Sequence, residues 1–410
     1  MTETSSTSDP APAKGPLAGI RILELANVIA GPTTCQLLGD FGAEIIKFEQ
    51  PGIGDGSRKQ GRSKDGAPLW WKMLGRNKRS VAMYLGDPEA AELFLELVAT
   101  ADVVIEGFRP GTLEKWGLGY DRLSAVNPGI ILARLTGFGQ SGPYRDRPAF
   151  GSNIEAIAGL PHLTGSPDGP PTMSIYALGD YMGALALANG ILMALYHRDA
   201  RGGRGQVIDA ALLSPLLTMM SHAIMMYDQL GIDEKRTGNR STANAPRNIY
   251  RTRDDKWISV AAATTALAAR IMEVVGRPDL VEQPWFKTGA GRAANVEVVD
   301  QAVADWIGAR TRDEVMEISS RAGITFAPVY SIGEMTRDEH ITQTSLLTRV
   351  PDPDLGSVLM PGLMFNMSET PGAVRWSGPS LGSSTDDVLG GELGVTPERL
   401  AALRARGVVG

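Results

Sequence analysis

The stretch that decides the fold is Ile20-Arg-Ile-Leu-Glu-Leu25, followed by Gly31-Pro32 and then by Ala43-Glu-Ile-Ile-Lys-Phe48. Short apolar runs bounded by turn residues are typical of buried strands. The apolar residues between the two runs, at residues 33–41, have the spacing of a helix. This strand–helix–strand unit, which is repeated further along the chain, predicts an α/β fold with a mostly parallel, doubly wound, Rossmann-like sheet.

The same alternation continues through the first half of the chain. Asp87-Pro88-Glu89 predicts the start of a helix, and apolar runs predict strands at residues 102–106 and 130–136. A long amphipathic helix is predicted at 181–197, before a strand at 205–209. Later the apolar periodicity is lost, and a hairpin and three helices are predicted. We therefore divide the chain into a disordered tail (1–16), the first part of a large α/β domain (17–232), a smaller inserted α+β domain (233–330) and a return to the large domain (331–410).

The composition argues against several classes of function. The 410 residues include 40 Lys+Arg and 46 Asp+Glu, and the net charge of −6 gives no electrostatic footprint for nucleic acid or an anionic membrane. A single cysteine, Cys35, and four histidines at no metal-ligand spacing predict neither a disulfide nor a metal site. The first residues do not resemble a signal peptide, and the uncharged residues 210–227 suit a buried helix better than a membrane span. We expect a cytoplasmic protein.

A glycine motif, Gly137-Phe-Gly139-Gln-Ser-Gly142, has the spacing of a dinucleotide-binding turn and follows a predicted strand. That turn requires a helix to begin within the motif, because the pyrophosphate lies on the helix N-terminus. Pro143 and Pro148 follow instead, which predicts a loop. The motif therefore does not indicate NAD or ATP binding.

Gly179-Asp180 lies directly before the helix predicted at residues 181–197. An Asp in this place most often caps the helix by accepting N–H bonds. Alternatively, the flanking glycines leave backbone amides open around a carboxylate at a positive helix end, where it can act as a nucleophile on an acyl carbon. Arg109 and Lys115 similarly suit either ordinary surface charge or a polyphosphate ligand. The residues alone leave these alternatives open.

The ordered series of motifs resembles the class III CoA-transferase family (CaiB/BaiF-type) from about Pro16 to the C-terminus. The segments that carry the resemblance are Ala30-Gly31-Pro32, Gly42-Ala-Glu-Ile-Ile-Lys-Phe-Glu49, Gly54-Asp55, Asn77-Lys78-Arg79-Ser80, Arg109-Pro-Gly111, the glycine motif with Pro143, Asp168-Gly-Pro-Pro-Thr172, Gly179-Asp180 and Gly203-Arg-Gly-Gln206. The resemblance implies an enzyme that moves CoA from an acyl-CoA thioester to a free carboxylic acid. It also implies that Asp180 forms a mixed anhydride and then an enzyme–CoA thioester.

The resemblance further implies how CoA and the subunits are arranged. Coenzyme A and acyl-CoA are substrates, no cofactor is bound permanently, and two ring-shaped chains interlock as a homodimer. Ala30 and Gly31 should lie beside CoA and the active carboxylate. The remaining CoA contacts should be Met83 and Phe108 at the nucleotide, Arg109 and Lys115 at its phosphates, and Phe138 and Gly139 along the pantetheine path.

Two other functions remain open for the same scaffold. Family members that isomerise α-methylacyl-CoA carry a histidine base shortly before the Gly-Asp segment, where this chain reads Pro148-Ala-Phe150-Gly151 and has no histidine, which argues against racemase or isomerase activity. A non-catalytic acyl-CoA-binding dimer is the second alternative. Ile29 and Gln50 stand where formyl-CoA:oxalate transferases have a glutamine and an arginine, so an oxalate-type substrate is not expected.

Overall fold

The computed structural model describes residues 15–410, so the predicted tail lies, up to residue 14, outside the described residues. Contacts divide the chain into two compact units. The first contains the described residues up to Ala158 together with Ser174–Ser221 and His340–Gly410, and the second contains Gly159–Met173 and His222–Glu339. The predicted division at residues 233 and 330 was drawn from the loss of apolar periodicity and stays a prediction.

A six-stranded parallel sheet organises the first unit. The strands up to residue 211 are β1 (Arg21–Glu24), β2 (Glu44–Glu49), β3 (Ser63–Lys64), β4 (Ala67–Pro68), β5 (Lys78–Ala82), β6 (Val103–Glu106), β7 (Ile131–Thr136) and β8 (Val207–Ala211). Their order in the sheet is β5-β2-β1-β6-β7-β8, with every neighbouring pair parallel, while β3 and β4 form a separate hairpin. The order reverses at β1, as in Rossmann sheets. The predicted parallel α/β sheet is confirmed.

Eighteen helices accompany the strands in the described part of the chain. They are α1 (Ala30–Asp40), α2 (Leu69–Leu74), α3 (Pro88–Val98), α4 (Thr112–Lys115), α5 (Tyr120–Val126), α6 (Gly151–Ile157), α7 (Leu160–Leu163), α8 (Leu178–Arg201), α9 (Leu213–Met219), α10 (Ser221–Leu230), α11 (Thr265–Val274), α12 (Pro278–Val281), α13 (Gly289–Ala294), α14 (Val296–Gly308), α15 (Arg312–Ala322), α16 (Ile332–Met335), α17 (Glu339–Gln343) and α18 (Pro397–Ala405). Short 3₁₀ or π turns lie at Gly56–Arg58, Pro284–Lys287 and Asp387–Glu392.

Successive residues of a strand point to opposite sides of the sheet, and in the central strands β1, β2, β6 and β7 nearly all of them are buried, so helices cover both faces there. Leu23 and Val104 belong to one apolar cluster, which α3 and α18 cover. Ile22 and Val103 belong to the other, which contains residues of α1 and α8. Helices on both sides of the sheet place loops at the carboxyl ends of its strands.

Helix α8 corrects one expectation about Asp180. The helix begins at Leu178, three residues earlier than predicted, and its N-cap residue is Ala177. Asp180 therefore lies inside the first turn, so the interpretation of Asp180 as the capping residue is wrong. The helix is long and apolar enough to span a membrane by length and composition. Eight of its residues are buried in the fold, where α8 packs against α1.

The uncharged stretch at residues 210–227 is not the single buried helix that we expected. It contains the end of β8 and two helices, α9 and α10, and no residue of α10 is buried. Met219 and Met225 are exposed in the single chain. Composition misled the prediction because an apolar helix face has the same residues whether the fold covers it or leaves it open.

The second unit contains a small antiparallel sheet. Its strands are β9 (Arg247–Arg251), β10 (Trp257–Ala261) and β11 (Phe326–Pro328), in the order β11-β10-β9. The β9–β10 hairpin, which turns at Asp254-Asp255, is confirmed. Helices α11, α14 and α15 contribute to its apolar core. In the returning C-terminal part of the first unit, β12 (Leu347–Asp352) pairs with β13 (Gly356–Pro361).

A buried network of charges lies beneath the carboxyl end of β1. The Lys47 ammonium is 3.2 Å from Glu24 and 2.7 Å from Asp55, and Lys78 is 2.8 Å from Glu24. Burial alone would lower the pKa of Lys47, but the carboxylates of Glu24 and Asp55 outweigh burial and raise it. Lys47 also donates to the backbone carbonyl of Ala26. The network therefore ties the sheet to the loop that follows β1.

We expect Lys47→Met to destabilise the protein by about 3–5 kcal/mol, because it leaves the buried carboxylate of Asp55 without its cation and Glu24 with Lys78 alone. Thermal and urea unfolding measure this change. Arg122→Ala is the control, since Arg122 and Glu92 form an exposed ion pair, worth at most about 1 kcal/mol. Equal effects of the two substitutions would contradict the structural importance of the network.

Candidate active site

A cavity of about 480 Å³ opens at the carboxyl ends of the central strands. The loop after β1, Gly107 after β6 and Gly137 after β7 form one side of it. Residues of α6 and the first turn of α8 form the other. In open α/β sheets, ligands bind at this edge, where the strand order reverses. The cavity is therefore the first candidate for a substrate site.

Asp180 projects into this cavity from the first turn of α8. Its carboxylate lies directly against Gly151, the first residue of α6. A Cβ atom built on Gly151 would be 2.0 Å from Asp180 Oδ2 and 2.7 Å from Cγ. Any larger residue at position 151 would displace the carboxylate, so glycine is required for this approach.

The surroundings of Asp180 make its carboxyl group more basic than usual. Burial raises its pKa, the negative charge of Glu155 raises it further, and together they bring it to about 6. At neutral pH the group is still ionised, and the positive end of the α8 dipole favours this form. A carboxylate of raised basicity in a cavity suits attack on an electrophilic carbon.

The loop after β1 brings the N-terminus of α1 to the same cavity. Val28 has a left-handed backbone, with φ of 72°, and its N–H donates to Asp55 at 3.1 Å. Ala30 and Gly31 follow as the first residues of α1 and line the cavity with Asp180. The first N–H groups of a helix have no partner within it and point outward. They can bind an oxygen that gains negative charge.

The structure places the six other predicted CoA contacts outside the lining of this cavity. Met83 is buried in the apolar core and bridges to Val409. Phe108 packs edge to face on Trp116, with 5.0 Å between the ring centres. Arg109 and Lys115 are exposed, before α4 and at its last residue. Their roles in CoA binding stay predictions.

Phe138 and Gly139 lie in the irregular loop between β7 and α6. Gly139 has φ of 86° and donates its N–H to Thr136 Oγ1 at 2.9 Å. Phe138 packs edge to face on Tyr144. No helix begins at the glycine motif in this described segment, so the prediction of a loop is confirmed.

Sequence reasoning missed Glu155, which is buried in α6 and lines the cavity. Its carboxylate accepts the N–H of Gly179 at 3.0 Å and the hydroxyl of Ser174. A single Glu with no spacing motif gives no signal of this role. Gln60, Trp70 and other lining residues from distant segments were missed for the same reason.

Within residues 15–410, no group of three or more His, Cys, Asp or Glu side chains is placed to hold a metal ion.

The sheet, the cavity at its reversal point and the carboxylate at a helix N-terminus define a site suited to acyl transfer. The family model for CoA-transferase family III matches residues 17–385. The chain belongs to this family and is a class III CoA-transferase, an enzyme class whose substrates are CoA thioesters.

Two relatives from Chloroflexus aurantiacus are each 41% identical to this chain. One is a succinyl-CoA–D-citramalate CoA-transferase and the other is the β subunit of a succinyl-CoA–L-malate CoA-transferase. Each alignment covers 96% of this chain and 98% of the relative.

Solved structures show the same fold. A CaiB/BaiF family protein from Brucella suis is 28% identical, with a TM-score of 0.80 over 96% of this chain and 100% of its own. Rv3272 from Mycobacterium tuberculosis is 29% identical, with a TM-score of 0.79 over 91% and 99%.

We expect Gly151→Ala to lower the rate of CoA transfer at least about 100-fold, because the added methyl group displaces the carboxylate of Asp180. Steady-state kinetics measure the effect, and circular dichroism checks the fold. Gly190→Ala in α8 is the matched control, since its Cβ would meet Ile208 at an ordinary 3.4 Å. Full activity of the Gly151 variant would show that the carboxylate does not need its present position.

We expect Asp180→Asn to raise the melting temperature at pH 8 and to raise it by only about half as much at pH 5, where Asp180 of the folded protein is already largely protonated. Because the pKa of Asp180 is about 6 in the folded protein, the ionised group destabilises the fold above pH 6, and protonation relieves this between about pH 6 and 4. The gain should be about 1–3 kcal/mol, since one pKa unit corresponds to about 1.4 kcal/mol. Calorimetry at both pH values tests it, with the exposed Asp146→Asn as control; a gain independent of pH would contradict the raised pKa.

Proposed function

We propose that the protein transfers CoA from an acyl-CoA thioester to a free carboxylic acid, with Asp180 as the nucleophile. The observation that carries the proposal is the carboxylate of Asp180, with a raised pKa of about 6, in the cavity at the sheet reversal point. Ala30 and Gly31, the first residues of α1, line the same cavity. Their position beside Asp180 supports a role for their amides as oxyanion donors.

The transfer proceeds through covalent forms of Asp180. Its carboxylate attacks the thioester carbonyl, the C–S bond breaks, and CoA thiolate leaves a mixed anhydride. The thiolate then attacks the aspartyl carbonyl, which releases the donor acid as a carboxylate and forms an enzyme–CoA thioester. The acceptor carboxylate repeats these two steps in reverse, and Asp180 regains its free carboxylate. Each step exchanges one acyl bond for another and needs no net proton.

The amides of Ala30 and Gly31 are proposed to stabilise the negative charge that develops in these steps. Each attack places negative charge on the former carbonyl oxygen, and helix N-terminal amides stabilise such an oxygen. Gly31 also allows α1 to approach the sheet, because a Cβ there would be 2.1 Å from the Cβ of Ala26.

We propose succinyl-CoA as the donor and a 2-hydroxy dicarboxylic acid as the acceptor to test first. The support is the pair of relatives at 41% identity that act between succinyl-CoA and citramalate or malate. An acetyl-CoA:oxalate CoA-transferase from Acetobacter aceti is less similar, at 32% identity. Ile29 and Gln50, which depart from the oxalate-type residues, support the same choice.

CoA binding and dimerisation complete the proposal. Met83, Phe108, Arg109, Lys115, Phe138 and Gly139 are proposed to hold CoA with Ala30 and Gly31. The interlocked homodimer is supported by apolar side chains that the single chain leaves exposed, among them Met193 and Tyr196 of α8 and Met225 and Tyr227 of α10. A cytoplasmic location stays part of the same proposal.

The mechanism predicts a CoA adduct on the wild-type protein after mixing with succinyl-CoA, and no adduct on Asp180→Ala. Intact mass spectrometry measures it across a panel of acyl-CoAs. Borohydride should remove the adduct, because it reduces the aspartyl thioester. Asp180→Ala should still bind CoA, which separates loss of the nucleophile from loss of the site.

The same experiment separates the alternatives. An adduct that persists in Asp180→Ala, or transfer at the wild-type rate by that variant, would overturn the role of Asp180. Deuterium uptake at the α-carbon of a branched acyl-CoA, without transfer, would favour a racemase or isomerase. Tight CoA binding with no adduct from any thioester would favour a non-catalytic acyl-CoA-binding protein.

A further inference from the structure

We propose that Glu155 is a positioning residue for this transfer: it holds the first turn of α8, and its negative charge favours the acylated forms of Asp180 over the free carboxylate. The inference deepens the proposed function and rests on it. It comes from the contacts of Glu155, which is 1% exposed although it lines the cavity.

Glu155 accepts hydrogen bonds from both ends of residues 174–179, the segment that directly precedes Asp180. One carboxylate oxygen accepts the N–H of Gly179, the residue before Asp180, at 3.0 Å. The other accepts the hydroxyl of Ser174. Because α8 has no side-chain cap at its N-terminus, Glu155 supplies from α6 an acceptor for one of the helix's first N–H groups.

Helix α6 packs closely against this turn. Gly151 and Glu155 are four residues apart and lie on one face of α6. Gly151 makes room for the carboxylate of Asp180, as shown above. A Cβ on Gly179 would lie 3.1 Å from the carbonyl oxygen of Gly151 and 3.4 Å from Cγ of Glu155. The close packing of α6 against α8 therefore keeps the carboxylates of Glu155 and Asp180 near each other.

The charges around Asp180 do not offset that of Glu155. Within the described residues, the cavity lining contains no Lys, Arg or His. The other titratable side chains near Asp180 are Tyr176, which lines the cavity, and Tyr181. Burial and the charge of Asp180 raise the pKa of Tyr181. Burial and Glu155 together account for the raised pKa of Asp180. A negative neighbour without a compensating cation destabilises the ionised form.

The repulsion between Glu155 and Asp180 is present in the free enzyme and absent from the two acylated forms of Asp180. The free enzyme carries the negative charges of both Glu155 and Asp180, whereas Asp180 is uncharged in the mixed anhydride and in the enzyme–CoA thioester. Acylation of Asp180 therefore relieves the repulsion from Glu155. The effect raises the reactivity of the carboxylate and the fraction of enzyme present as the CoA thioester.

Two variants separate the charge of Glu155 from its hydrogen bonds. Glu155→Gln keeps an oxygen that accepts the N–H of Gly179 and removes the charge. Ser174→Ala removes a donor to Glu155 and keeps the charge. The pKa of Asp180 is read directly from the carboxyl ¹³C resonance of protein labelled with ¹³C-aspartate, assigned by its loss in Asp180→Asn.

We expect the Asp180 resonance to titrate with a midpoint near 6 in wild type and in Ser174→Ala. In Glu155→Gln the midpoint should fall by about one unit, since it loses the effect of a nearby like charge. In the pH profile of kcat/KM, the decrease on the acid side should shift to lower pH by the same amount. The enzyme–CoA thioester measured at equilibrium should fall about tenfold, as one pKa unit is a factor of ten.

An unchanged midpoint in Glu155→Gln would overturn the inference. Glu155→Asp provides a second test if the Gln variant does not fold: it keeps the charge, so its midpoint should stay near 6. A midpoint about one unit lower, as expected for loss of the charge, would also overturn the inference. The titration needs no substrate. A shifted midpoint with no CoA adduct in wild type would refute the proposed function alone, whereas an adduct with equal midpoints would refute only the inference.

Discussion

A buried ammonium group determines the shape of the loop on which the site is built. Lys47 lies wholly inside the fold, between Glu24 and Asp55, and donates to the carbonyl of Ala26. Asp55 in turn accepts the N–H of Val28, a β-branched residue in the left-handed region of the backbone. Such a conformation is costly and persists only where the surroundings determine it. The charge network provides those surroundings, and α1 starts at the cavity because the loop has this form.

Close approach of backbone segments is the second requirement, and two glycines meet it. Gly31 lets α1 pack against Ala26, two residues past the end of β1, and Gly151 lets α6 reach the carboxylate of Asp180. The helix that carries Asp180, the proposed nucleophile, and the helix whose amides are proposed to bind the substrate thus both depend on a missing side chain. Since interiors are close-packed, neither helix can shift to admit a methyl group without moving the atoms proposed to react.

The sheet could be predicted from the sequence because strand and helix periodicity is a local property, as residues 20–48 demonstrate. The boundaries of α8 could not, since its start at Leu178 depends on contacts with α6, and the interpretation of Asp180 as a cap was wrong for this reason. The prediction that the residues of α10 are buried was wrong, because apolar composition does not show whether other parts of the chain cover a helix face. The proposed catalytic role of Asp180 came from the family resemblance, and Glu155 carried no signal at all.

The four Gly-Asp pairs of the chain show why residue type alone does not identify a reactive acid. Asp87 caps α3 by accepting the N–H of Glu89, which is the role first considered for Asp180. Asp55 and Asp40 are buried but paired with cations, and Lys47 holds the pKa of Asp55 well below its usual range. Asp180 is the member of this set that faces a cavity whose described lining holds no cation and that has another carboxylate as its neighbour. The acids that stabilise the fold, Asp40 and Asp55, are paired with cations. Asp180, the acid proposed to react, has no cation beside it. The electrostatic free energy of its uncompensated charge is therefore relieved when the group is acylated in the reaction.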